Sequence, residues 1–252
     1  SVPEFGRYGG YGAVGKRLAG FSDEISGKEV AAHPYLGAKL KQDEPTKYLP
    51  ATRKNLEDFG AVVPEDELAK LRAAGYFLDL WHWRAARSNP VNVSDDQFVA
   101  EGRLSDKGKS PYSTNWDGEK KQPKLMFDAA KAGHKALRWE DVVAGKISQD
   151  ANHALRTDLA APFDPNAGWK DGDVIPRRIL QPSDGSRGDI KVAGKARWAD
   201  GFWDVTLVRK MDTGNKLEDK IFADRGMYQL AFAVHRQATG GRWHYGSLPF
   251  SL

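Results

Sequence analysis

The chain has six His, three Met and no Cys, so any metal or redox chemistry has to come from imidazole, thioether, amine or carboxylate groups. The lack of thiol excludes disulfides, thiolate catalysis, cysteine zinc sites, iron–sulfur clusters and thioether-attached haem. The histidines are His33, His82, His134, His153, His235 and His244, and none sits in an HExxH or similarly compact ligand spacing. Two are paired by hairpin arithmetic. If Ala238-Thr239-Gly240-Gly241 closes a turn, His235 and His244 each lie three residues from it and face one another across the strands.

The remaining motifs carry less. Gly10 to Arg17 (GYGAVGKR) approaches a phosphate-binding loop, but Arg17 stands where Ser or Thr would hold magnesium, and no apolar strand precedes it. Met126 and Met227 read as packing residues. Acid pairs such as Asp95-Asp96 and Glu140-Asp141 fit helix starts or loops better than a glycosidase cleft. No GxSxG elbow or Cys nucleophile supports a hydrolase.

These groups need elements to hold them. The segment 1–30 is rich in Gly and aromatics and reads as loop and turn. Pro64 to Ala74 has acids early, bases late, Pro at its first turn and Gly75 after it, which predicts a short helix. Tyr76 to Arg84 (YFLDLWHWR) alternates as a strand, with Phe77, Asp79, Trp81 and Trp83 on one face and His82 on the other. Ser88 to Gln122 is polar and turn-rich, read as a long surface excursion within a loop-rich stretch, 86–194, that carries short helices. Helices are expected at Trp139 to Gly145 and Gln149 to Thr157. Lys195 to Arg209 predicts two strands about an Asp200-Gly201 turn, and Met227 to His235 with Trp243 to Phe250 a final hairpin. The sum is a mainly β chain: an antiparallel β-sandwich with long loops and a few short helices, spanning 1–252 as one domain.

Composition narrows the classes. At 252 residues, 11% aromatic with eight Trp, the chain can bury a core and is not of disordered composition. A charged fraction of 29%, a mean hydropathy of −0.61 and no long apolar run exclude an integral membrane protein built on spanning helices. The charge of +4 is dispersed, with no dedicated basic face for nucleic acid. A first residue of Ser rather than Met gives the expectation of a processed, exported chain.

Several segments together carry a resemblance: KYLPATR (Lys47 to Arg53), YFLDLWHWRA (Tyr76 to Ala85), SPYSTNWDGEKKQPKLMFD (Ser110 to Asp128), GDVIPRR (Gly172 to Arg178) and the close from Tyr228 to Leu252. Over roughly 45–252 the chain resembles the haem-binding domain family related to the ethylbenzene dehydrogenase γ subunit and to haem b subunits of DMSO-reductase-type enzymes. The resemblance implies a β-sandwich holding one non-covalent b-type haem and passing electrons in the periplasm. Its implied partner is a redox protein, a multihaem cytochrome of the NapC type or a molybdoenzyme.

The γ-subunit relatives ligate iron with a Met and a Lys, and the resemblance places the Lys near Lys191 and Lys195. Lys47 to Arg53 supplies no Met, so His33, His235 or His244 stands in as the second ligand. The family's opening strands are not recognised ahead of residue 30, which leaves room for another chain to complete the sheet. Tyr48, Leu49, Trp81, Trp83, Lys195 and Trp198 are the expected haem-pocket residues, and Lys195, His33, His235 and His244 the candidate iron ligands. The alternative is a glycan or small-ligand binding module on the same aromatic sandwich, without haem.

Overall fold

The computed structural model describes residues 49–54, 61–147, 154–235 and 244–252. His33, Tyr48, His153, the segment 1–30 with its phosphate-loop-like motif, and the 238–241 turn lie outside the described residues. Most of the regular structure among the described residues is β, in two- and three-stranded sheets; the two-stranded ones are antiparallel, and Arg178–Leu180 pairs antiparallel with Tyr112–Thr114 and parallel with Leu155–Arg156. Three short helices accompany them among the described residues: Glu65–Ala73, Ala129–Ala132 and Trp139–Val143. This is the mainly β, loop-rich architecture the sequence leads one to expect.

The chain divides into two compact units. The first takes the described residues of 1–80, Gln97–Leu104 and Met211–Leu252; the second takes Trp81–Asp96 and Ser105–Lys210. In the first unit, the predicted helix forms over Glu65–Ala73, with Glu65, Asp66 and Glu67 in its first turn and Lys70 and Arg72 in its last, matching the helix dipole. The nearby core joins Phe77, Phe98 and Ala100, with Leu104 packed on them. Phe77 and Phe98 meet edge to face at 6.4 Å. Arg72 holds this corner, its guanidinium 5.1 Å above the Phe98 ring and ion-paired to Glu101.

The second unit packs Phe127, Leu137 and Leu155 beneath Leu125, Val142, Ile147 and Val174. Asn115 ties this region together: its side-chain amide donates to the Leu125 and Pro176 carbonyls at 3.0 Å, and its Oδ1 accepts from the Leu125 N–H at 2.9 Å. Leu155 has no solvent exposure.

Two expectations require correction. The polar stretch from Ser88 to Gln122 is not a surface excursion, because it contributes the strand Asp95–Val99, in which Phe98 and Val99 are buried. Its polar residues hide the strand from periodicity: Asp96 is buried through a partner described below, and Gln97 Oε1 accepts from Arg103 Nε at 2.6 Å. The helix expected over Gln149 to Thr157 is not seen where the chain is described. Leu155–Arg156 is instead a strand, paired in parallel with Ile179 and Leu180, followed by a 3₁₀ turn at Thr157–Leu159. Burial of Leu155 in the sheet outweighs a weak local helix preference.

Candidate functional site

In the second unit the candidate site is a hairpin that displays tryptophan. Gly194 and Lys195 both adopt left-handed backbone, at φ 69° and 66°, which swings the chain into the hairpin and leaves Lys195 exposed. Arg197–Ala199 then pairs with Phe202–Asp204. The two linking residues, Asp200 at φ 52° and Gly201 at φ 83°, make the positive-φ turn that suits the twist of a two-residue hairpin.

Trp198 and Trp203 fall directly opposite one another, rings 5.6 Å apart and inclined by 53°, and remain 57% and 42% exposed. Trp83 meets Trp203 edge to face at 5.3 Å. Trp83 and Trp198 are thus joined through Trp203, which the sequence placed on a strand but not in a site.

Trp81 has another partner. The Arg209 guanidinium lies 4.8 Å from its ring centre, and Arg209 Nη1 donates to Asp96 Oδ2 at 3.2 Å. Neither charged side chain has any solvent exposure. Nothing in the sequence pattern signalled this pair. His82, on the same strand, accepts a hydrogen bond at Nε2 from Arg84 Nε at 2.9 Å.

The first unit holds the other candidate groups. Leu49 is buried, and its N–H donates to the Ala100 carbonyl at 2.7 Å. The ribbon Ala233–His235 with His244–Gly246 forms in the expected register, His235 opposite His244. Lys220 was not anticipated. Its ammonium sits 3.9 Å from the Phe77 ring centre and donates to the Gly75 carbonyl, while its backbone N–H donates to Asp79 Oδ2 at 2.8 Å. Burial pushes its pKa below the ordinary lysine value, opposed by the Asp79 charge. The only local hint was its place between Asp219 and the apolar Ile221 and Phe222.

The thioethers divide in the same way. Met126 is buried in the second unit, its sulfur 3.4 Å from the Asp164 N–H, as a packing residue should be. Met227, expected to pack, is instead 81% exposed in the first unit, where Met211 is also exposed.

A b-type haem asks for a neutral amine, imidazole or thioether as axial ligand and for apolar cover over its faces. The first unit supplies such groups: an amine whose pKa burial lowers, two exposed thioethers, and exposed Phe232, Val234, Leu248 and Phe250. Within the second unit, Lys195 and the Trp198–Trp203 pair lie on consecutive parts of one hairpin.

Residues 26–247 match a family model described as ethylbenzene dehydrogenase. No curated protein and no solved structure shows a significant match. No helix among the described residues is long and apolar enough to cross a membrane.

Proposed function

Because the chain belongs to the ethylbenzene dehydrogenase family, we propose that it is a periplasmic electron-transfer subunit that binds one non-covalent b-type haem and serves a molybdoenzyme-type partner. The observation that carries this reading, beside the family match, is the Lys220 amine. An ammonium has no lone pair to offer iron, so a lysine ligand needs an environment that favours the neutral form. Partial burial lowers the Lys220 pKa in that direction, while the Phe77 ring, the Gly75 carbonyl and the Asp79 charge favour the ammonium, contacts that binding to iron would have to displace. Lys195 is exposed in its turn and is the second amine candidate.

The haem, when bound, supplies a one-electron couple. The chain would hold it through the Lys220 amine and a second donor from Met211, Met227, His235 or His244, all in the same unit. Apolar side chains around the iron exclude water and set its potential. In the second unit, the exposed Trp198 and Trp203 would offer a separate aromatic face to a partner.

The test is reconstitution with haemin followed by reduced-minus-oxidised spectroscopy of the wild type, Lys220→Ala and Lys195→Ala. Stoichiometric uptake with sharp reduced bands that Lys220→Ala abolishes is the expected outcome. Loss on Lys195→Ala instead would move the ligand to the hairpin, and absence of uptake would reject haem altogether.

A second reading, a glycan-binding module, is favoured by the exposure of Trp198 and Trp203 on one hairpin face. Indole rings stack on the apolar faces of sugars. It would show as a colourless protein whose tryptophan fluorescence changes on sugar addition and loses that response in Trp198→Ala.

A further inference from the structure

We propose a second, separate binding site: an oxyanion cradle in the second unit, formed by Arg87 and Arg178 about the ring of Tyr112, that takes a phosphate or carboxylate group. It does not depend on the haem reading. Tyr112 begins the strand Tyr112–Thr114, which pairs with Arg178–Leu180 so that Tyr112 faces Leu180 and Arg178 stands diagonally two residues away. The Arg178 guanidinium lies 5.5 Å from the Tyr112 ring centre. Arg87, from the turn after the tryptophan strand, stacks much closer, at 3.7 Å.

Two like charges drawn to one ring repel each other, and the ring quadrupole offsets only part of that repulsion. Two other arginines of this unit have acid partners: Arg187 is bidentate on Asp95, and Arg156 is bidentate on Asp158. Among the described residues, neither Arg87 nor Arg178 has a carboxylate within ion-pair distance, and neither does the adjacent, exposed Arg177. Asp158, in the turn after the strand Leu155–Arg156, is committed to Arg156.

A guanidinium held over an aromatic ring still has N–H groups to offer, and its planar fork matches the two oxygens of a carboxylate or phosphate. An anion bound by both guanidinium groups would offset that repulsion. The fold holds the cradle ready: Gln181 donates from its side chain to the Ser110 carbonyl at 3.0 Å, and its N–H donates to the Pro111 carbonyl at 3.1 Å, fixing the start of the Tyr112 strand.

The experiment is calorimetric titration of the full chain with inorganic phosphate, and separately with acetate, at constant ionic strength set by sodium chloride. Saturable binding of at least one anion is expected, weakened about tenfold by Arg178→Gln or by Arg87→Gln, as expected for loss of a charge-assisted hydrogen bond. Arg197→Gln, on the tryptophan hairpin, should leave it unchanged. Phosphate preferred over acetate assigns a phosphoryl ligand, and the reverse a carboxylate. Should Arg87→Gln fail to fold, exposed Arg178→Lys keeps the charge but loses the fork and should still weaken binding. Heats that do not saturate, or affinities indifferent to Arg178, would overturn the site.

Discussion

At the scale of single residues, the buried Arg209–Asp96 pair is the most consequential contact that the sequence conceals. The two residues are 113 positions apart and neither sits in a motif. Removing one partner leaves the other charge buried without its counter-ion, a loss of about 3–5 kcal/mol. Asp96→Ala should therefore unfold at much lower denaturant than wild type, and the double variant Asp96→Ala with Arg209→Met should recover part of the loss.

Lys220 gives a pH signature. Its folded-state pKa lies below the unfolded value, so in the window between the two the unfolded chain binds more protons and stability rises with pH. Wild type compared with Lys220→Met should show that rise approaching the ordinary lysine pKa, and the variant should lack it. A difference curve that stays flat would mean the amine is solvated. Asp173 acts at the other end of the scale. The Lys170 N–H and the Arg138 guanidinium hold its carboxyl below the usual range, so its contribution is intact above that range and fades as pH falls through the lowered value. Asp173→Asn should flatten the acid limb of stability.

At the scale of elements, local rules were legible where chemistry and geometry share a few neighbouring residues. The Asp200-Gly201 turn was readable because two successive positive-φ residues are what a tight hairpin demands. Glu65–Ala73 was readable from its charge order, and the His235–His244 register from equal distances to a turn. Asp95–Val99 was not, since its burial depends on residues distant in sequence that satisfy its polar groups. Leu155–Arg156 was misread for the same reason: the parallel pairing with Ile179 and Leu180 leaves no local trace.

Glycine placement supplies an element-scale prediction. A Cβ on Gly108 would lie 1.9 Å from the Asp184 carbonyl oxygen, and one on Gly185 2.5 Å from the Lys107 oxygen. These two loops approach backbone to backbone, and the Asp184 side chain accepts from the Lys109 N–H at 2.7 Å across the same contact. Gly108→Ala should cost about 1–3 kcal/mol through forced backbone displacement. Gly201→Ala, where a Cβ meets nothing within 4 Å, should cost only about 1 kcal/mol for its positive φ. Equal losses for the two would show that the loops do not meet backbone to backbone at Gly108.

At the scale of the whole molecule, the family was legible from scattered segments, while the division into two units was not. Each unit is assembled from separated stretches of chain, so no composition shift or linker marks their boundary. The candidate site was half legible. Trp83 and Trp198 do belong to one aromatic group, but Trp203 and Lys220 entered only through pairing and burial. A bound haem would also stabilise the fold by mass action, by about 2.7 kcal/mol at a hundredfold excess over its dissociation constant. The most direct measurement is the reduced-minus-oxidised visible spectrum of the haemin-titrated chain, taken in parallel with Lys220→Ala. Sharp reduced bands that reach saturation at one haem per chain and vanish in the variant are predicted. A spectrum of free haem in both proteins would contradict the account.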